Sequence, residues 1–192
     1  MREFARLSAA LTALFVVVYG GTNWINSQRS GHYRLYFDWE LAIPFVPPMI
    51  YLYLSLNLFL ALTLRLDANA LRAYAKAFAL ATVVAAAIHL ALPARLGFDR
   101  RGSGALYAWL YRIELPYNLF PSLHVAYTTM TGRALAGERS GPAFRAAVRL
   151  WAGLLVASVV FVHQHHLADV AGGIALGWLC AAYYRYERDR AR

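Results

Sequence analysis

The chain has 192 residues, of which 60% are hydrophobic and only 15% are charged. A soluble domain typically carries about 25% charged residues, so the composition excludes an ordinary soluble protein and indicates a bilayer environment. The formal charge of +9 comes from basic residues between apolar runs, which favours a role in orienting membrane helices over nucleic-acid binding. The single cysteine, Cys180, excludes an intrachain disulfide and a cysteine-based metal site.

Six apolar stretches predict six transmembrane helices, because a spanning helix needs about 20 apolar residues. In chain order, these stretches cover residues 7–28, 41–64, 75–94, 119–137, 146–164 and 165–185. We therefore expect an all-α membrane protein, with residues 1–192 forming a single six-helix bundle. Residues 104–113, between the third and fourth spans, are rich in aromatic residues and predict a short interfacial helix in an outer loop.

The basic residues predict the orientation of these helices. Thirteen of the 19 lie in the N-terminal end, the connections at 65–76 and 133–149, and the C-terminal tail, and six lie in the alternate connections. Because cytoplasmic loops are enriched in arginine and lysine, we expect both termini in the cytoplasm. The arginine-rich short loops suggest a bacterial cell membrane. In the last span, Gly173 and Gly177 have the spacing that allows close helix packing.

The first candidate motif is Phe120-Pro121-Ser122-Leu123-His124, at the start of the fourth span. Proline followed by serine is typical of a helix start. The free backbone N–H groups and the dipole of a helix N-terminus bind phosphate. Ser122 would add a hydroxyl donor, and His124 would lie within reach of a bound anion.

The second motif is His163-Gln164-His165-His166-Leu167-Ala168-Asp169. His165 and Asp169 are four residues apart and share a helix face, where the carboxylate would fix the imidazole tautomer and leave the other ring nitrogen free. In the predicted topology both motifs lie at the outer face. His163 and His166 fit interfacial or supporting positions better than ligand positions, although a metal site built from His163, His165, His166 and Asp169 is an alternative.

Three other polar groups have structural interpretations. His89, inside the third span, is predicted to make a packing or interhelical hydrogen-bond contact. Asp38 and Glu40 are interpreted as solvated or headgroup-layer anchors, with contact to a substrate headgroup as the alternative.

The two motifs together resemble the type 2 phosphatidic acid phosphatase superfamily. The resemblance rests on the first motif and on Ser158, His165 and Asp169 with their spacing, and it extends from about Asp38 to Tyr184. Such a family implies a metal-independent phosphoryl transfer without a cofactor. In that mechanism His165 would form a phosphohistidine, Asp169 would hold its ring, and His124 would protonate the leaving alkoxide and then activate the acceptor.

The sequence departs from the wider superfamily at three places, and two of these departures favour its branch of inositol phosphorylceramide and sphingomyelin synthases. Leu123 stands where the wider superfamily has glycine, and Val159 stands where it has an arginine that clamps phosphate. The third departure is the segment Pro93-Ala94-Arg95, where the wider superfamily has a lysine and an arginine before the proline. Arg95 is the candidate replacement cation, with Arg100, Arg101 and Arg112 as alternatives on the same face, and a simple interface anchor is the other interpretation of Arg95.

The sequence therefore predicts a lipid phosphate phosphatase that acts on a lipid phosphate or diphosphate at the extracytoplasmic face. Its partners would be that substrate and the surrounding membrane lipids, with no nucleic acid. The alternative is a phosphotransferase that moves a phospho-headgroup to a lipid alcohol, and a more remote one is a non-enzymatic lipid-binding or transport bundle. The predicted site comprises His165, His124 and Asp169 as catalytic residues, and Ser122 and Arg95 as phosphate-binding residues.

Overall fold

The computed structural model describes residues 2–137 and 140–191. Regular structure in this part of the chain is helical, apart from one isolated bridge between Tyr33 and Ala94. The α-helices are α1 (Arg2–Ser27), α2 (Met49–Leu54), α3 (Leu56–Ala61), α4 (Ala68–Ala91), α5 (Ala105–Ile113), α6 (Leu123–Leu135), α7 (Pro142–Phe161) and α8 (Leu167–Arg190). Short 3-10 helices cover Asp38–Ala42 and Leu62–Arg65. Arg139 and Arg192, counted above among the cytoplasmic charges, lie outside the described residues.

Four of the described helices are long and apolar enough to cross a bilayer. They are α1, from Phe4 to Ser27, and the whole of α4, α7 and α8. They coincide with the first, third, fifth and sixth predicted spans. The protein is therefore a helical membrane protein with at least these four candidate spans.

The other two predicted spans are shorter in the structure than the sequence pattern suggested. Residues 41–64 begin with an irregular segment, and helix starts only at Met49 and runs in pieces to Arg65. The prolines at positions 44, 47 and 48 lack the N–H group that a helix interior needs, which explains the late start. Helix α6 has 13 residues, about 20 Å at a rise of about 1.5 Å per residue, which is less than a hydrocarbon core of about 30 Å. The six-span count stays a prediction.

Helix α5 coincides with the short helix predicted at residues 104–113. Gly104 precedes it with a φ of 90°, a left-handed conformation that glycine adopts without a steric penalty. The predicted position of this helix at the membrane surface stays a prediction.

Helix α1 lies at the edge of the bundle and packs mainly against α4. None of the residues in its most apolar 18-residue window is buried. Near its C-terminal end, buried Asn26 donates to the carbonyl oxygen of His89 at 2.9 Å, and Asn118 donates to the carbonyl oxygen of Tyr19 at 2.9 Å. These bonds fix one end of α1 to the core, while the rest of the helix forms an outer wall.

Candidate active site

Close packing of α6 against α8 brings the two sequence motifs together. A Cβ atom at Gly173 would lie 2.6 Å from the carbonyl oxygen of Ser122, and one at Gly177 would lie 2.6 Å from that of Ala126. The backbone N–H of Ser122 also donates to the carbonyl oxygen of Asp169 at 3.1 Å. The predicted role of the two glycines in helix packing is confirmed, and the starts of α6 and α8 meet at one end of the bundle.

His165 and Asp169 form the predicted i, i+4 pair at the start of α8. His165 Nδ1 lies 3.4 Å from Asp169 Oδ2, and both side chains are buried. The same carboxylate oxygen accepts a hydrogen bond from the backbone N–H of His166 at 2.9 Å. The distance to Nδ1 is longer than a typical hydrogen bond, but Oδ2 is the acceptor that this nitrogen faces. The arrangement favours a proton on Nδ1 and an unprotonated Nε2.

The end of α7 sets the direction in which His165 points. His163 has a φ of 57°, the left-handed conformation that commonly ends a helix. The carbonyl oxygen of Val159 accepts hydrogen bonds from the N–H groups of Gln164 at 3.0 Å and His165 at 3.1 Å. The Val159 side chain is fully buried in the apolar core. The position that holds arginine in the wider superfamily is therefore a core position here.

His124 lies in the first turn of α6 and faces the same cavity as His165. Its ring stacks on Tyr53 with a centroid separation of 4.3 Å, and its Nε2 atom is buried without a hydrogen-bond partner. A buried nitrogen without a partner is costly, so this atom is available to form a hydrogen bond with a group that enters the cavity. Ser122 is buried, and its hydroxyl oxygen caps the helix by accepting from Val125 N–H at 3.3 Å.

His89 supports this helix start from α4. Its Nε2 atom lies 3.1 Å from the carbonyl oxygen of Pro121. The predicted interhelical hydrogen bond of His89 is thereby confirmed.

Glu40 is not the solvated anchor that the sequence suggested. It is 1% exposed, and its carboxylate accepts from the N–H groups of Leu167 at 2.9 Å and Phe37 at 3.0 Å. The positive dipole end of α8 compensates the buried charge. The N–H groups of Leu167 and Val125 therefore already have partners, so these two helix-start donors are not free for phosphate.

His166 is held in a buried pocket by contacts to both of its ring nitrogens. Nε2 accepts a hydrogen bond from Gly97 N–H at 3.0 Å, and Nδ1 lies 3.3 Å from Glu40 Oε2. The ring is stacked between Tyr36 and Phe98. Burial lowers the pKa of His166, although the carboxylates of Asp169 and Glu40 act in the opposite direction.

These contacts argue against the alternative metal site. The ring nitrogens of His166 face Gly97 and Glu40, and His163 Nε2 lies 3.0 Å from the carbonyl oxygen of Ile43. Within residues 2–137 and 140–191, no group of three metal-ligating side chains has the geometry to hold an ion.

A half-buried carboxyl group outside the two motifs, that of Glu114, lines the same cavity as the histidines. Glu114 follows α5 and accepts hydrogen bonds from the Tyr53 hydroxyl at 2.8 and 3.0 Å. Burial raises the pKa of Glu114, although the Tyr53 hydrogen bond and the charges of His165 and Arg100 act in the opposite direction. The carboxyl group thus joins the ring that stacks on His124 to the end of α5.

The arginines considered as replacement cations have different surroundings. The Arg95 side chain is exposed, and its backbone N–H donates to the carbonyl oxygen of Tyr33 at 3.0 Å. Arg100 donates to the carbonyl oxygens of Tyr111 and Glu114, at 3.0 and 2.6 Å, and Arg101 pairs with Asp99 at 3.4 Å. Arg112 is exposed on α5.

The histidines open into a cavity of about 540 Å³ between α1, α2, α3, α4, α5 and α6. We call this cavity the α1 groove, because one face of α1 forms its outer wall. His124, His165 and Glu114 line it together with Tyr53, whereas Ser122 and Arg95 are not among its lining residues. The structure thus gathers the three predicted catalytic residues, places Ser122 beneath them, and leaves Arg95 outside the groove.

A larger cleft of about 1410 Å³ lies around the C-terminal end of α6. Arginines 65, 133, 149, 185 and 188 line this cleft, and neither His124 nor His165 does. Its basic lining agrees with the charge that the sequence places on the cytoplasmic side. The smaller α1 groove, not this cleft, contains the candidate chemistry.

The comparison with known families agrees with the geometry. Residues 98–183 match the PAP2 superfamily. This segment contains α5, α6, α7 and the part of α8 up to residue 183, and with them Ser122, His124, His165 and Asp169. No curated protein and no solved structure matches the chain significantly. The match supports the superfamily resemblance and an enzyme that acts on phosphorylated substrates.

Two site residues, Glu40 and Glu114, were missed as site components for an identifiable reason. Each is an isolated acidic residue outside the two motifs, and no spacing rule connects either to His165 or His124. The sequence does contain one indication of both residues. A carboxyl group among apolar and aromatic residues of a membrane protein is energetically costly, and such groups tend to be functional.

Proposed function

We propose that this protein is a membrane-embedded lipid phosphate phosphatase that works through a phosphohistidine at His165. The observation that carries the proposal is that His165 and His124 line one cavity while Asp169 lies against the far nitrogen of His165. The substrate is a lipid phosphate or diphosphate, and neither a metal nor a cofactor takes part.

In the first step, Nε2 of His165 attacks the phosphorus atom. A phosphorus–nitrogen bond forms as the bond from phosphorus to the lipid oxygen breaks. Asp169 stabilises the positive imidazole through Nδ1, and His124 gives a proton to the leaving alkoxide. The partnerless Nε2 of His124 is the atom that supports this role.

In the second step, His124 takes a proton from water, and the resulting hydroxide attacks the phosphohistidine. The phosphorus–nitrogen bond breaks, and inorganic phosphate leaves. His165 and His124 return to their starting states. The cycle consumes one water and releases one phosphate, together with a lipid alcohol from a lipid phosphate or a lipid monophosphate from a lipid diphosphate. General acid–base help of this kind contributes roughly 10²–10⁴-fold.

The developing charge on the phosphoryl oxygens needs hydrogen-bond donors. The Ser122 hydroxyl uses its oxygen in capping α6, so its proton is available to donate. We assign the cationic role to Arg95, whose exposed side chain follows the bridge to Tyr33. Movement of the loop after α4 would be needed to bring it over the histidines.

The proposed setting is a bacterial cell membrane, with both termini in the cytoplasm and the histidines at the extracytoplasmic face. The arginine distribution and the basic cleft at the other end of α6 support this orientation. The partners are the lipid substrate and the surrounding membrane lipids, with no nucleic acid.

A transferase of the sphingolipid synthase type is the second candidate. Leu123 and Val159 favour it at the sequence level, and Glu114 adds a structural reason. Its carboxyl group, in the same cavity as His124, can hold the hydroxyl of an acceptor alcohol. In that reaction the alcohol takes the place of water in the second step.

Phosphate release from a panel of lipid phosphates and diphosphates tests the proposal, with purified protein in detergent, with and without EDTA. We expect release that survives EDTA and disappears in His165→Ala. Release that requires metal would contradict the histidine mechanism. Formation of a phosphorylated product from an added lipid alcohol, without release of free phosphate, would favour the transferase. No turnover in either assay by folded protein would favour a non-enzymatic lipid-binding bundle.

A further inference from the structure

The outer wall of the α1 groove is a continuous stripe along one helix. The α1 residues that line the groove recur at intervals of one helical turn. They are Phe4, Leu7, Ser8, Leu11, Thr12, Phe15 and Tyr19. Because α1 packs mainly against α4 and is little buried elsewhere, this stripe faces the groove and the opposite face is left for lipid.

The groove is polar at one end and largely apolar along its length. The ionisable groups Glu114, His124 and His165 lie where the starts of α6 and α8 meet, and α1 lines the groove from Tyr19 back to Phe4. Leu71 of α4 lines it as well, in the first turn of that helix. A ligand that fits this distribution has a charged head and a hydrocarbon tail.

The length of the stripe indicates how long a hydrocarbon tail the groove can hold. Phe4 and Tyr19 are fifteen residues apart, which at about 1.5 Å per residue gives a wall of about 22 Å. One leaflet of the hydrocarbon core is about 15 Å thick, half of about 30 Å. A chain that fills the groove from the histidines to Phe4 therefore extends beyond the bilayer midplane.

We propose that the α1 groove binds one long hydrocarbon chain of the lipid phosphate, and that its far end, lined by Phe4, Ser8 and Leu71, sets the longest chain accepted. This inference rests on the proposed function, because it places the phosphate of the same lipid at His165. A single chain that crosses the midplane indicates a long-chain lipid phosphate rather than a short-chain one. The α1 groove then selects substrates by length, while the histidines act on a phosphate that all of them share.

Two α1 substitutions test the length rule. Ser8→Phe fills the far end of the groove, and Thr12→Phe fills it one turn nearer the histidines. Ala9→Phe is the matched control, because Ala9 is exposed and does not line the groove. The assay measures kcat/KM for single-chain lipid phosphates of increasing length, presented in mixed micelles at a fixed surface concentration.

We expect the ratio of kcat/KM for long chains to that for short chains to fall about tenfold in Ser8→Phe, because added volume in a filled apolar site excludes the chain end. Thr12→Phe should move the cut-off to shorter chains, and Ala9→Phe should keep the wild-type ratio. Equal ratios in Ser8→Phe and Ala9→Phe, with phosphate still released, would overturn the groove but leave the proposed function intact. Absence of release from every chain length in the wild type would instead count against the proposed function.

A labelling experiment tests the groove without turnover or a variant. The probe is a lipid phosphate with a photoreactive diazirine at the chain end, activated in the wild-type protein. We expect labelling of the first turns of α1 around Phe4 and Ser8, reduced by excess unlabelled lipid phosphate. Labelling confined to other helices, or labelling of α1 that excess substrate does not reduce, would overturn the proposal, the latter because the groove then holds bulk membrane lipid.

Discussion

The two parts of the candidate site differ in how their side chains are held. At the start of α8, His165, Asp169, His166 and Glu40 lie in a buried network in which one carboxylate oxygen has two partners. Along the α1 groove, the wall consists mainly of apolar side chains on a helix that packs chiefly against one neighbour. The network holds the catalytic side chains in fixed positions. The groove contacts the hydrocarbon tail through an apolar wall and can accept tails that do not exceed its length. Changes in the network should reduce kcat, and changes in the groove should alter substrate preference.

The largest expected effect is in the network, at Asp169. Asp169→Asn removes the charge that stabilises the imidazolium but keeps a side-chain oxygen that can accept from His166 N–H, as Oδ2 does in the wild type. We expect kcat to fall by about 10²–10⁴-fold, in the range of general acid–base contributions. Phosphate release kinetics measure the change. Asp38→Asn is the matched control, since Asp38 is exposed and pairs with Arg34; a similar loss in both variants would contradict the assigned role.

The next largest effect is expected at the contact between α6 and α8, which brings the two parts of the network together. Gly173→Ala introduces a Cβ that would lie 2.6 Å from the Ser122 carbonyl oxygen and 2.8 Å from the Val125 side chain. We expect a loss of about 1–3 kcal/mol in stability, typical of overpacking, together with a fall in activity. Thermal unfolding in detergent measures the first. Gly153→Ala in α7 is the control, because nothing lies within 4 Å of its Cβ position, and unchanged stability in Gly173→Ala would contradict the packing account.

A smaller effect is expected where the network meets the groove. Tyr53→Phe removes the hydroxyl that donates to Glu114 but keeps the ring that stacks on His124. We expect kcat to fall about two- to tenfold, since an intramolecular hydrogen bond contributes about 0.5–1.5 kcal/mol net. The chain-length preference should stay that of the wild type. A changed preference with normal kcat would place Tyr53 in the binding of the tail.

The smallest effect concerns pH. Because burial lowers the pKa of His166 in the folded protein, the unfolded chain binds its proton first as the pH falls below the ordinary value of about 6.5. The unfolded state then binds more protons, so stability decreases on acidification and is retained above that value. Unfolding midpoints at about pH 7.5 and pH 5.5 measure this. His166→Gln should reduce the difference between the two midpoints, and an unchanged difference would contradict the role of His166.

The network was more predictable from the sequence than the groove. The spacing of His165 and Asp169 and the pair Gly173 and Gly177 each follow a local helical rule, and the structure shows the contacts that these rules predict. Glu40 accepts a hydrogen bond from the N–H of Leu167, which lies 127 residues away in the sequence. No local pattern encodes such a contact, and for this reason Glu40 was interpreted as an anchor.

The groove depends on helix arrangement, which a hydropathy pattern does not specify. The α1 stripe from Phe4 to Tyr19 is apolar in the same way as the lipid-facing residues Val16 and Val17. The late start of helix at Met49 and the 13-residue length of α6 also depend on how chain segments pack, since prolines and loop length decide where each helix begins. The prediction of helical membrane segments is confirmed for α1, α4, α7 and α8 at the level of length and composition.

The central claim is that His165 becomes phosphorylated during turnover. The most direct measurement is rapid acid-free quenching of the protein with a lipid phosphate labelled at phosphorus, followed by peptide mapping of the bound label. We predict an acid-labile, base-stable label on His165, present with and without EDTA and absent from His165→Ala. Phosphate release with label on no residue, or with label that persists in His165→Ala, would contradict the account.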